Sequence, residues 1–322
     1  MINLTLNKNR DLKAISADFY YSIDKNIKSK INKNSKYLNT FKTASNHQLG
    51  TYLRANIKEI ISSDLKTILS AHEYEFKKLF QIEYINDKPK EFSKFKTIIN
   101  EIFDYESLSA NEAYSFTEAL GINTCPYCNR NYITTIGNDR VKFVRADIDH
   151  FLPKYKYPYL RLSFYNLIPS CVICNRNAKG RKETSLEKNI HPYIEGFGND
   201  AKLIHKPKTY QDLIGKGNPE MDFTFSDNKT KVEKIKGNIR VFRLKDQYSI
   251  HAKDLNQLIA LKEAFTESYI DDLIARYPKL KLTKEEAYYY AFGTVYSEIG
   301  DESQPMSKFK RDILEHIEMI SI

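Results

Sequence analysis

The sequence predicts an α+β fold, a mainly α-helical chain built around a small central unit framed by cysteines. Three observations carry this. Apolar residues recur three or four apart through long stretches towards both ends. Between residues 121 and 200 that periodicity stops, and Cys, Pro, Asn and aromatic residues gather instead. All 4 cysteines of the 322 residues lie there, in two pairs of equal spacing. The expected division is a helical part over 1–120, the central unit over 121–200 and a mostly helical part over 201–322.

In the first part, Leu53, Ile57, Ile60, Ile61, Leu65, Ile68 and Leu69 form the stripe of an amphipathic helix between His47 and Phe80. Ser62-Ser63-Asp64 is the expected break in it. Asp87-Lys88-Pro89 reads as a turn before a shorter helix. Another helix runs from Ser109 to Leu120, with Gly121 just past its end as a C-terminal cap. In the central part, Asn131–Ile136 and Val141–Ile148 are rich in β-formers, and Gly137-Asn138-Asp139-Arg140 between them is a hairpin signal. In the last part, Met221–Phe225 alternates as a strand does. Asp254 to Tyr277 carries Leu255, Leu258, Ile259, Phe265, Tyr269, Leu273 and Ile274 on one helical face and stops before Pro278. Thr283 and Glu286 match a capping box that opens the next helix. Ser307 to Ile320 is the last one.

Apolar residues make up 41% and aromatics 13%, enough for a packed core and too many for a disordered chain. No apolar run reaches the ~18 residues that a membrane span needs. The opening MINLTLNKNRDLK has no apolar core of the secretory kind, so a cytoplasmic location is expected. The net charge is +9 and unevenly spread. Residues 121–195 hold 12 Lys/Arg against 6 Asp/Glu, so most of the excess sits in the central unit, where it suits a nucleic-acid partner. Lys25, Lys28, Lys30, Lys33 and Lys36 form a second basic stretch. It could track a phosphate backbone or be a solvated helix face.

The cysteine pairs read Cys125-Pro-Tyr-Cys128 and Cys171-Val-Ile-Cys174. Two residues between cysteines let both thiolates of one turn face one ion, and two such knuckles supply the four soft ligands of a tetrahedral zinc. A thioredoxin-like redox pair needs one such motif beside a strand–helix unit, and buried thiols without a metal are the other alternative. With four cysteine ligands no coordination position stays open, so this zinc would be structural.

Between and after the pairs stand Asp147-Ile148-Asp149-His150-Phe151-Leu152-Pro153-Lys154, then Tyr165-Asn166-Leu167-Ile168-Pro169-Ser170, then Cys174-Asn175-Arg176-Asn177-Ala178-Lys179-Gly180. This pattern resembles the HNH nucleases of the ββα-metal kind, in which two zinc knuckles bracket a catalytic hairpin and helix. The resemblance covers about 50 residues. It implies a central zinc-stabilised HNH unit that hydrolyses phosphodiesters and leaves a 5′-phosphate and a 3′-hydroxyl. Asn175 stands where many of these enzymes have His.

The residues fit that chemistry. His150, the one His inside the cysteine-bracketed stretch, has an ordinary pKa of about 6.5 that suits a general base. Asp149 is a hard oxygen ligand, and Asn175 can add a second through its amide oxygen. Mg²⁺ (or Mn²⁺) takes one or two protein oxygens and keeps several waters, so these two are enough. The resemblance makes Asn166 the brace of the loop that orients His150. Lys179, four residues after Asn175, would share its helix face and contact phosphate. Other readings exist. Asp147, on the strand face of Asp149, can be a surrogate ligand or a solvated carboxylate, Asn166 a turn residue and Asn175 a helix cap, while Arg176, Arg181 and Lys182 compete with Lys179. His191 reads as a packed loop residue beside Pro192 and Tyr193. His47, His72, His205, His251 and His316 carry no motif.

The wider order of parts is similar to the HNH nucleases encoded beside ATPases in anti-phage defence, such as Septu systems and related retron systems. Ile190-His191-Pro192-Tyr193, the stretch from Gly237 to Leu244 and that from Pro305 to Lys310 take part in the likeness. It implies an effector that partners a separate ATPase of the SMC or ABC type, since no Walker motif occurs here. DNA is favoured as substrate. RNA such as tRNA, or an inactive zinc-framed module that binds nucleic acid or acts as an adaptor, are the alternatives.

Overall fold

Helices and three two-stranded sheets make up the regular structure of the residues described. The computed structural model describes residues 1–80, 89–108, 110–137, 141–264, 268–295 and 297–318. The chain packs as two compact units. One is Met1–Lys8, Ile122–Thr134 and Ser170–Ile322; the other is Asn9–Gly121 and Thr135–Pro169. They are called the cysteine unit and the histidine unit below, after the site residues each contains.

In the histidine unit, Asp11 opens the Leu12–Lys33 helix by accepting from the Lys13 and Ala14 N–H groups, each at 3.0 Å. Phe19, Tyr20, Ile23, Ile27 and Ile31 form its buried stripe. The stripe packs on the Leu49–Ser62 helix, which buries Leu53, Ile57, Ile60 and Ile61, and on the Ala110–Leu120 helix. Phe19, Phe116 and Phe164 meet in this core with ring centroids 5.3–6.1 Å apart. Phe164 lies two residues before Asn166, so the helical core anchors the site loop.

The expected break lies at Ser63, and Asp64 caps the next short helix, Leu65–Ile68, through the Thr67 N–H. A π-helical turn, Leu69–Glu73, follows. Of the Asp87-Lys88-Pro89 turn, Asp87 and Lys88 lie outside the described residues, and Pro89 opens the Pro89–Ile102 helix. Gly121 follows Ala110–Leu120 at φ +58°, as a C-terminal cap does.

The hairpin is shorter than expected. Strand β1 is Ile136–Gly137 and pairs antiparallel with β2, Lys142–Val144; Asn138, Asp139 and Arg140 lie outside the described residues. Asn131–Thr135 forms no strand because its backbone is used elsewhere. The Cys125 N–H donates to the Asn131 carbonyl and the Ile133 N–H to the Asn123 carbonyl, which closes the first cysteine knuckle. Strand β3, Asp147–His150, pairs with β4, Leu167–Ser170, and at the end of β4 the chain passes into the cysteine unit.

In the cysteine unit, β5 (Ala201–Lys206) pairs antiparallel with β6 (Glu220–Phe225), in register from Ala201 opposite Phe225 to Lys206 opposite Glu220. The Ser307–His316 helix packs on β5, and the Leu203 N–H donates to the buried Asp312 carboxylate at 3.0 Å. Arg311 makes a bidentate pair with Asp301 at 2.6 and 2.7 Å, both groups buried. The expected helix from Asp254 to Tyr277 is two, Ala252–Ala264 and Tyr269–Arg276. Ser268, with Asp271 and Asp272 in the first turn after it, is a helix start, and that signal wins over the continuous apolar stripe. Phe265 lies outside the described residues. The Thr283–Glu286 capping box forms with both of its bonds.

Candidate functional site

The four cysteines converge in the cysteine unit. Cys125, Cys128, Cys171 and Cys174 are all buried and without disulfides, and their sulfurs lie within 4.8 Å of one another. A tetrahedral zinc with Zn–S of ~2.3 Å sets its sulfurs about 3.8 Å apart. The Cys128 and Cys171 sulfurs stand at 3.9 Å. The residues therefore fit zinc. Burial and hydrogen bonds with Cys128 and Cys171 push the Cys125 thiol well above its ordinary value, and hydrogen bonds with the other three push Cys174 up. The same mutual hydrogen bonds push Cys128 and Cys171 down, so the four thiols ionise unevenly.

N–H donors surround the sulfurs. The Arg130 N–H donates to Cys128 and the Cys174 N–H to Cys171, each at 3.4 Å. Side-chain amides add Asn131 Nδ2 to Cys171 at 3.4 Å and Gln247 Nε2 to Cys174 at 3.6 Å. Such bonds spread the negative charge of metal-bound thiolates. The sequence reading missed a network behind them. Arg130 donates through Nη1 to Gln247 Oε1 at 2.8 Å and through Nε to His251 Nε2 at 2.9 Å. His251 Nδ1 then donates to Asp254 at 2.7 Å, which fixes its tautomer. Gln247, His251 and Asp254 recur at four and three residues, the one local signal that could have grouped them.

Asn129 locks the first knuckle. It is fully buried at φ +52°, a left-handed conformation that Asn tolerates. Its Nδ2 donates to the Asp301 carbonyl at 2.8 Å, and its Oδ1 accepts from the Lys308 N–H at 2.9 Å at the start of the Ser307–His316 helix. Tyr248 Oη donates to the Cys128 carbonyl at 2.6 Å.

Asn175 and Lys179 stand on the π-helical turn Ile173–Lys179, which the Gly180 N–H closes on the Asn175 carbonyl at 2.9 Å. Such turns concentrate at functional sites. Asn175 is half-buried and Lys179 buried at 4% exposure, while Arg176, Arg181 and Lys182 are exposed. His191 is buried, its ring beside Tyr193.

His150, Asp149 and Asn166 belong to the histidine unit. His150 ends β3, half-buried, with Nε2 3.0 Å from the Arg161 carbonyl oxygen. A carbonyl only accepts, so Nε2 carries the proton and Nδ1 is the basic nitrogen. The Tyr105 ring packs edge-on against the imidazole at 4.6 Å. Burial pushes the Tyr105 hydroxyl up to about 12, so it stays neutral. Glu106, next to it, pairs with Lys154 at 2.7 Å and Arg161 at 3.5 Å, which ties this turn to the loop after His150. The sequence reading missed both residues. Asp149 is a buried carboxylate one residue from His150, the hard oxygen donor that Mg²⁺ favours. Asp147, half-buried on the same strand, is the other acid of β3.

Asn166 is fully buried and spans the loop. Its Oδ1 accepts from the Leu152 N–H at 2.7 Å, and its Nδ2 donates to the Leu152 and Leu160 carbonyls at 3.2 and 3.1 Å. The Phe151 N–H donates to the Asn166 carbonyl at 2.9 Å. The loop that begins one residue after His150 is thereby fixed from within.

This chain shares a segment with a Septu protein. PtuB of Bacillus thuringiensis is 33% identical to it over 94 residues, 29% of this chain and 34% of that protein. The protein ea31 of Escherichia phage lambda is 37% identical over 73 residues, 22% of this chain and 21% of that protein. The matches thus span about a third of the first relative and about a fifth of the second. No family model matches the chain, and no solved structure matches it. Among the described residues no helix is long and apolar enough to cross a membrane.

Proposed function

We propose that the chain is a metal-dependent endonuclease of the HNH kind, the effector of an anti-phage defence system working with a separate ATPase. The observation that carries the reading is the setting of His150: its Nε2 proton is held by a carbonyl, a buried carboxylate precedes it on the strand, and Asn166 pins its loop. In this reading Nδ1 of His150 takes the proton of the attacking water. Asp149 would hold Mg²⁺ or Mn²⁺, which would supply positive charge for the crowded phosphate and the leaving oxygen. Asn166 acts through the loop and is a positioning residue. Lys179 would offset phosphate charge, with the exposed Arg176 and Arg181 as the cations beside it in sequence. The zinc-capable cysteine cluster keeps the turn that carries Asn175 in place. The local excess of basic residues around these groups and the segment shared with PtuB support the assignment to nucleic acid and to defence.

The test incubates the purified chain, with and without its partner ATPase, with supercoiled DNA and with tRNA under Mg²⁺. Cleavage that falls by about 10²–10⁴ in His150→Ala is the expected result. Cleavage confined to tRNA assigns the substrate to RNA. Wild-type protein that binds duplex equally with and without Mg²⁺ and never cuts it is a zinc-framed binding module instead.

A further inference from the structure

The histidine unit holds a cleft of about 480 Å³ that the proposed chemistry does not use. The π-helical turn Leu69–Glu73 contributes Leu69 and Glu73 to one wall. Phe76 and Tyr159 are among its lining residues, their rings stacked at 4.2 Å and 10°. Phe80 also lines it, its ring 6.5 Å from that of Tyr159 and tilted by 26°. The Tyr159 hydroxyl is the anomaly. The residue is 2% exposed, and its Oη is buried without a hydrogen-bond partner. Burial pushes its ionisation far above the ordinary value and the Glu73 carboxylate adds to this, so the group is a neutral O–H donor. A buried donor left unpaired carries the desolvation cost of its group, which a ligand acceptor would recover. Lys77 and Lys156, both exposed, supply positive charge to the lining.

An aromatic lining, one unspent hydrogen-bond donor and two cations are recognition elements that suit a nucleotide. We propose that this cleft binds one nucleotide, its base among the aromatic rings, Tyr159 donating to an acceptor on the base, and Lys77 and Lys156 on phosphate. The loop joining the cleft to His150 suggests what the site is for. It leaves β3 after His150, supplies Lys156, Tyr157 and Tyr159 to the cleft, and returns to the His150 ring through the Arg161 carbonyl. Placing the bound nucleotide beside the cut bond rests on the nuclease reading; the binding itself does not.

The source is either a free nucleotide or one residue of a strand. Calorimetry on the His150→Ala chain in Mg²⁺-free buffer separates binding from cleavage. Mononucleotides, a trinucleotide, ribose 5-phosphate and adenosine are titrated in turn. Nucleotides are expected to bind about tenfold or more tighter than ribose 5-phosphate. A trinucleotide that outbinds the mononucleotides assigns the cleft to a strand, and equal affinity assigns it to free nucleotide. Tyr159→Phe should weaken nucleotide binding about fivefold to tenfold without lowering the melting temperature, because it removes an unpaired hydroxyl. Lys156→Ala, at an exposed position, should weaken nucleotides and leave adenosine unchanged. No binding up to about 5 mM of any nucleotide or of the trinucleotide overturns the proposal, as does ribose 5-phosphate binding equally well or a Tyr159→Phe affinity equal to that of the parent.

Discussion

Replacing Asn166 by Asp changes one atom of the site loop and leaves its volume intact. Asn166 Nδ2 faces two carbonyl oxygens, those of Leu152 and Leu160, at 3.2 and 3.1 Å, while Oδ1 holds the Leu152 N–H at 2.7 Å. In Asn166→Asp the second oxygen meets those two carbonyls. As a neutral acid it keeps one O–H and loses one bond, at about 1–2 kcal/mol. As a carboxylate it loses both donors and places a buried charge against two acceptors, so its pKa rises above the ordinary value of about 3.9. A rise of about 2 units would add about 2.7 kcal/mol at full ionisation. The sign follows from proton linkage. Between the unfolded and the raised folded pKa the native variant binds more protons than the unfolded chain, so its stability falls as pH rises through that window and levels off above it. Urea unfolding of wild type and variant at several pH values from about 4.5 to 8 gives the difference directly, and titrations common to both cancel. The deficit should grow from about 2–3 kcal/mol at pH 4.5 to about 4–5 kcal/mol at pH 8, while Asn166→Ala should show a loss that does not vary with pH. A flat Asn166→Asp difference would refute the assigned orientation of the amide and the loop geometry built on it.

Purified protein should hold one zinc, released to a chromogenic chelator, and Cys174→Ser should retain none and lose cooperative melting of the cysteine unit. Gln247→Ala and Asn131→Ala keep all four sulfurs but remove an N–H donor, so zinc affinity in a competition titration should fall about 10-fold to 100-fold. Arg311→Met leaves Asp301 buried and unpaired, which should cost about 3–5 kcal/mol in denaturant unfolding, and Asp301→Asn on the same background should restore part of it.

Local signals were legible where the physics is local. The apolar stripe of Leu53, Ile57, Ile60 and Ile61, the Asp64 break and the Thr283–Glu286 box each depend on residues within a turn or two. The two cysteine pairs could be read as one cluster because both knuckles share the same spacing. What stayed hidden depends on chain separation. Met221–Phe225 alternates as a strand does, but nothing in it names Ala201–Lys206 as the partner. Asn129 is tied to residues 301–308 and Arg130 to His251, and neither distance leaves a mark on the sequence. Asn131–Thr135 has strand composition, but the Asn131 carbonyl and the Ile133 N–H are bonded into the knuckle instead. At the site, the roles of Asp149 and His150 were suggested by chemistry, whereas Tyr105 and Glu106 emerge only once their turn packs on the His150 ring and loop.

The threading of the chain between its units also sets a timetable for synthesis. The Ile2 N–H pairs with the Pro126 carbonyl and the Leu4 N–H with that of Pro192. At ~5–20 residues per second, Leu4 waits about 10–40 s for its partner to be made. Met1, Ile2 and Leu4, all buried in the finished fold, spend that interval in solvent or in contact with other proteins. Asn129 waits longer still, for Lys308. The cysteine unit therefore closes last around its own first residues. Slow translation, or early capture of the nascent chain by a chaperone, should affect its yield more than that of the histidine unit.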